Sequence, residues 1–200
     1  MPITPHEDSH HKSSLHERRF DGDVERLRSS ERIARLEVER TVALSLEGLA
    51  THSVLDVGTG SGLFAEAFQK QGLAVSGVDV NSEMVQVASH LVPGAEFKVS
   101  PAEALPFRPG SFDLVFMGLV FHETDDALQA LREAHRVARQ RVIILEWPYL
   151  EQEFGPPLAH RLKPAQVAAL ASQAGFEKVE TFNLDHVVLY RLCVVCPNEI

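Results

Sequence analysis

The sequence predicts a doubly wound α/β domain: a seven-stranded sheet, mostly parallel with one antiparallel strand near the C-terminus, and helices on both faces. Three observations predict it. Short apolar runs alternate with segments of helical period from residue 53 to residue 174. The run Phe112–Gly118 is apolar at nearly every position, as expected of a central parallel strand covered on both faces. Two strand-like runs, 176–184 and 186–195, then follow in close succession, which implies an antiparallel pair at the end.

Residues 1–20 are polar and carry His6, His10, His11 and His16 with no hydrophobic period, so a mobile arm is expected. No cysteine or paired carboxylate gives these histidines ligand geometry, and no metal is expected. From residue 21 to residue 48 the pattern is helical. Val24 and Leu27 make one short face, and Ile33, Leu36, Val42 and Leu46 continue it at mixed spacings. Ser30 is expected to cap the second helix, with Glu31 in its first turn and Gly48 as the stop of the last. Strands are predicted over 53–58, 74–80, 96–99, 112–118 and 141–147. Helices are predicted over 61–71, stopped by Gly72, and over 82–91, capped by Asn81 or Ser82. Two more are predicted over 125–138, with Leu128, Leu131, Ala134 and Val137 facing inward, and over 163–174, closed by Gly175. One domain over 21–200 is expected, with its core at 53–147 and the last helix and strand pair in 148–200.

Composition narrows the function. Twenty-eight acidic against nineteen basic residues leave a net charge of −9, so no nucleic-acid partner is expected. Two cysteines near the C-terminus, Cys193 and Cys196, make neither a disulfide framework nor a zinc site by themselves. There is no apolar leader-like run at the N-terminus, and the longest apolar run is far too short to span a bilayer. A cytoplasmic protein is expected.

The chemistry centres on Val54-Leu55-Asp56-Val57-Gly58-Thr59-Gly60-Ser61-Gly62. A buried strand ends in a glycine turn and feeds a helix, whose free N–H groups and positive dipole end would point at a ligand in the turn. The dinucleotide fingerprint G-x-G-x-x-G fits poorly, because the third glycine comes one residue early and Leu63 stands at its place. Asp56 would repel a pyrophosphate, whereas a sulfonium or ammonium has the right sign. This stretch resembles motif I of the class I S-adenosylmethionine-dependent methyltransferases, and the chain is similar to the broad group of small methyltransferases that includes the quinone-biosynthesis type. The resemblance runs from about Phe20 to the C-terminus and is most specific from Val54 to Trp147. It implies a Rossmann-like fold, S-adenosylmethionine as cofactor with S-adenosylhomocysteine as product, and a small-molecule methyl acceptor.

The expected cofactor residues are Asp56, Gly58, Thr59, Gly60, Gly62, Asp79, Val80, Met84, Ala102, Glu103, Met117 and Gly118. Asp79 ends the second strand, where an acid accepts both ribose hydroxyls, and Val80 and Met84 would pack against adenine. N–H groups near Gly58 and Gly60 would take the methionine carboxylate. The segment Ser100-Pro101-Ala102-Glu103-Ala104-Leu105-Pro106-Phe107 resembles a family stretch that has an acid where Pro101 stands. That side-chain contact to adenine is lost here, which implies weaker cofactor binding; the Ala102 N–H is retained, and Glu103 is the remaining acid. His122, after the fourth strand, is the candidate general base or acceptor-orienting group. Phe20, His122, Glu146, Trp147 and Tyr149 are the candidate acceptor residues, and the N-terminal helices are implied to lie over the cofactor. Two other readings stay open at this point: a non-catalytic adenosyl-ligand-binding domain, and an NAD-dependent oxidoreductase.

Overall fold

The computed structural model describes residues 23–194. The expected arm, Phe20 and Cys196 lie outside the described residues. The sheet has seven strands in the order β3-β2-β1-β4-β5-β7-β6. They are β1 (Ser53–Val57), β2 (Ala74–Asp79), β3 (Glu96–Val99), β4 (Phe112–Gly118), β5 (Ala138–Glu146), β6 (Lys178–Asn183) and β7 (Val188–Cys193). β7 is antiparallel to both β5 and β6 and is the single reversed strand. The predicted pair is therefore present, but its second strand enters the sheet between β5 and its first strand.

Seven α-helices are described: α1 (Val24–Leu27), α2 (Ser30–Arg35), α3 (Val38–Leu46), α4 (Leu63–Gln69), α5 (Ser82–Leu91), α6 (Ala127–Val137) and α7 (Pro164–Gln173). Side chains alternate across each strand, and this builds two cores. On one face Val115 and Met117 of β4 join Val142 and Ile144 of β5 under Leu131 and Ala134 of α6 and Val167 of α7. On the other, Leu114 and Phe116 join Ile143 and Leu145 under Phe64 and Phe68 of α4 and Val42 of α3. Phe116 meets both rings of α4, with centroids 4.6 and 5.2 Å away. None of the described helices is long and apolar enough to cross a membrane.

Local chemistry moved several boundaries. The first helical stretch is three short helices: Ser29, in extended conformation, separates α1 from α2, and Glu37, left-handed at φ 43°, separates α2 from α3. Ser29, not Ser30, caps α2, accepting from the Arg32 N–H at 3.2 Å. Asn81 caps α5 as expected, accepting from the Glu83 N–H at 2.8 Å. α4 starts at Leu63 because Gly62, at φ 76°, still belongs to the turn. β5 begins three residues before the predicted Arg141, since α6 runs directly into it with a register irregularity against Phe112 and Leu114.

Candidate active site

The carboxyl ends of β1, β2 and β4 open on a cleft of about 860 Å³, roofed on one side by α1 and α2. Gly58, Gly60 and Gly62 all have positive φ (69°, 50° and 76°), which bends β1 sharply into α4. A Cβ on Gly58 would lie 2.4 Å from Val120 Cγ2, so backbone and loop approach as closely as two chains can. The Gly58 and Thr59 N–H groups donate to Val78 O at 2.8 and 2.9 Å. The Gly60 N–H donates to Asp79 Oδ2 at 2.8 Å. The N–H groups of Gly58 and Gly60, expected to be open to a carboxylate, are thus already partnered. The turn is shaped by its neighbour strand instead.

Asp79 also accepts the Asn81 N–H through Oδ1 at 2.9 Å. Each of its oxygens keeps lone-pair capacity on the cleft side, since a carboxylate has about four acceptor sites. Gly58, Gly60, Asp79, Val80, Met84, Ala102, Gly118, His122 and Trp147 line the cleft. The Ala102 N–H has no hydrogen-bond partner among the described residues.

The other expected residues lie elsewhere. Asp56 is buried behind the turn, where it accepts from Thr59 Oγ1 at 2.7 Å. Burial, with the Asp79 charge adding to it and the Thr59 bond opposing, pushes its pKa up to about 7. It therefore does not line the cleft and makes no direct grip on a ligand there. Thr59 shares its hollow. Gly62 packs on Ala88 and Val92, and Met117 is in the core. Glu103 accepts the N–H groups of Asp125 and Asp126 at 2.8 and 3.2 Å, so it caps the approach to α6 rather than replacing the acid missing at Pro101. Tyr149 is exposed, with Lys163 Nζ 5.2 Å from its ring centroid.

His122 and Glu146 form a buried pair at the floor of the cleft. His122 Nδ1 is 2.9 and 2.8 Å from the two Glu146 oxygens. Glu146 also accepts the His122 N–H at 3.0 Å and the Trp147 N–H at 3.2 Å. The carboxylate fixes the proton on Nδ1 and leaves Nε2 as the cleft nitrogen, 3.6 Å from Glu123 Oε1. Burial pushes the imidazole pKa down, but the Glu146 charge and hydrogen bond, helped by Glu123, outweigh it and hold it above its ordinary value.

Two arginines were not recognised in the sequence as site builders. Arg28 donates to Ser61 O at 2.8 Å and pairs with Glu66, pinning the α1–α2 connection to the glycine turn. Arg161 stands in the proline-containing segment after β5. It is buried and donates to the carbonyls of Pro148, Leu150, Phe154 and Pro156 and to Gln152 Oε1, at 2.7 to 3.1 Å. It holds the loop after β5, including Gly155 and Phe154, against Trp147. The signal was there in hindsight: a proline-rich loop leaves carbonyls that no sheet satisfies, and a nearby guanidinium has five donors.

The family model described as Methyltransferase domain matches residues 55–145. The chain is 40% identical over 96 residues to the methyltransferase YcgJ of Bacillus subtilis, covering 46% of this chain and 38% of that protein. It is 35% identical over 112 residues to a demethylmenaquinone methyltransferase of Thermotoga maritima, covering 54% of this chain and 48% of the other. The chain thus spans about half or less of the length of these relatives. A SAM dependent methyltransferase from Aquifex aeolicus superposes with a TM-score of 0.80 at 26% identity, over 88% of this chain and all of that one.

Proposed function

We propose that this chain, which over residues 55–145 is a member of the class I S-adenosylmethionine-dependent methyltransferases, transfers a methyl group from that cofactor to a small-molecule acceptor bound in the same cleft. The observation that carries the reading is the Asp79 carboxylate, set beside a turn of three left-handed glycines at the mouth of the cleft. The residues present fit an adenosyl group. Asp79 has acceptor capacity for ribose hydroxyls, Ala102 has an unpartnered N–H, and Val80 and Met84 line the same wall. The dinucleotide fingerprint fits badly, because Leu63 stands where its third glycine would be.

When bound, S-adenosylmethionine supplies a methyl group on a sulfonium, a leaving group that needs no activation by the protein. The chain's contribution is then mainly orientation and exclusion of water. α1 and α2 cover the cleft, held by Arg28 on the glycine turn. His122 Nε2 takes the proton of an acceptor O–H or N–H, and Glu146 keeps the imidazole in the tautomer that can do so. Calorimetric titration of the full chain with S-adenosylhomocysteine tests the reading. One site per chain is expected, with most of the heat lost in Asp79→Ala and none seen with NADH. No binding of S-adenosylhomocysteine at high concentration would remove the proposal.

A further inference from the structure

We propose that the methyl acceptor is an acid, a small molecule with a carboxylate or phosphate group, seated by the arginines of α1 and α2 with Arg35 as the anchor. The inference rests on the methyltransferase reading and deepens it.

The chain is acidic as a whole, with a net charge of −9. Its cleft nevertheless has Arg26, Arg32 and Arg35 along the helical wall. The carboxylates that line the cleft with them are Glu31, Glu123 and Asp79, the last at the end of β2. Burial lowers the Arg32 pKa, and the charges of Arg26 and Arg35 lower it further against the opposing pull of Glu123. Arg32 thus feels the charges of both Arg26 and Arg35, and an anion seated beside Arg35 on this wall is attracted by all three.

Arg35 is held ready for such an anion. Its Cζ lies 4.2 Å from the centroid of the Phe154 ring. Its N–H groups have no hydrogen-bond partner among the described residues, so the fork is open at its rim. Phe154 in turn packs on Trp147 with centroids 5.7 Å apart, and Trp147 follows Glu146, the partner of His122. Arg35 and the His122–Glu146 pair therefore face one cleft across an aromatic layer. An acceptor held by its anionic group on Arg35 presents the rest of its body to His122. A cleft lined both by a carboxylate on β2 and by arginines on α1 and α2 takes two ligands of unlike charge, the cationic cofactor and an anionic acceptor.

The test uses the full chain saturated with S-adenosylhomocysteine and titrated with 4-hydroxybenzoate, phenyl phosphate and the neutral 4-hydroxybenzamide. At least one anion is expected to bind about tenfold or more tightly than the amide, as one charge-assisted pair supplies. The stronger of the two anions identifies the oxyanion preferred. Arg35→Gln should erase the preference, Arg35→Lys should keep part of it, and S-adenosylhomocysteine affinity should stay the same in both. Melting temperatures confirm that the variants are folded. The proposal is overturned if the amide binds as well as the anions, or if neither anion binds at millimolar concentration. It is overturned too if Arg35→Gln weakens S-adenosylhomocysteine as much as the acids, since the arginines would then hold the cofactor's own carboxylate. Failure of S-adenosylhomocysteine to bind is read before any acid is added. It removes the methyltransferase reading and this one with it.

Discussion

Replacing Glu146 by glutamine isolates the buried pair from the rest of the cleft. Two carboxylate oxygens accept from three N–H groups: His122 Nδ1 at 2.9 and 2.8 Å, the His122 main chain at 3.0 Å and the Trp147 main chain at 3.2 Å. Glutamine has one oxygen and one NH₂ group, so at least one buried N–H faces another donor. That costs about 1–3 kcal/mol, readable as a lower urea midpoint. The imidazole carries the more specific effect. In the native chain the Glu146 charge outweighs burial and raises the His122 pKa. A raised histidine pKa gives stability that is full below the unfolded value and is lost as pH rises through the folded one. The destabilisation by Glu146→Gln should therefore be largest in mild acid and shrink toward alkaline pH. With the Glu146 charge removed, only the Glu123 charge still opposes burial, and His122 should titrate at lower pH than in the native chain. Imidazole NMR resolves that titration without any acceptor. With an accepted acceptor, kcat should fall by about 10²-fold, the lower end for a positioned base. A His122 titration that stays in place or moves up in the variant refutes the reasoning.

Asp56 offers a pH test of opposite origin. Its folded pKa of about 7, raised by burial, means that the native state binds a proton that the unfolded chain has already released. Stability should fall as pH climbs from the ordinary aspartate value toward 7, and Asp56→Asn should abolish that fall. Melting curves from mild acid to pH about 8 should show the variant gaining on the native chain, and a constant difference would count against the burial argument. Arg161→Lys keeps the charge but has three donors where the guanidinium serves five acceptors. A loss of about 2–4 kcal/mol is expected, with faster limited proteolysis between residues 148 and 157, and an unchanged cleavage rate would sink the loop-clamp role.

The alternation of strands and helices was legible because it follows from periodicity, which is a local property. β4 reads as central because both of its faces are apolar, and it is fully covered as expected. The glycine turn was legible because only glycine takes three positive φ values at alternate positions without strain. Asp79 was placed at the sheet edge that opens on the cleft by its position at the end of β2, and His122 and Glu146 by theirs, after β4 and at the end of β5. The burial of Asp56 was not legible, for an equally physical reason: sequence puts a residue near the end of a strand but does not say on which side of the turn its carboxylate emerges.

Local pattern thus determined the fold class, most element boundaries and the sheet edge that carries the chemistry. Tertiary structure alone decided three things. The last strand enters beside β5, because strand order depends on contacts far apart in the chain. Residues 24 apart, His122 and Glu146, meet through the parallel register of β4 and β5. Arginines some ninety positions before His122 come to roof the same cleft, because α1 and α2 dock on a glycine turn that packs against a different strand. Periodicity has no long-range term, and each of these three arrangements is a long-range contact.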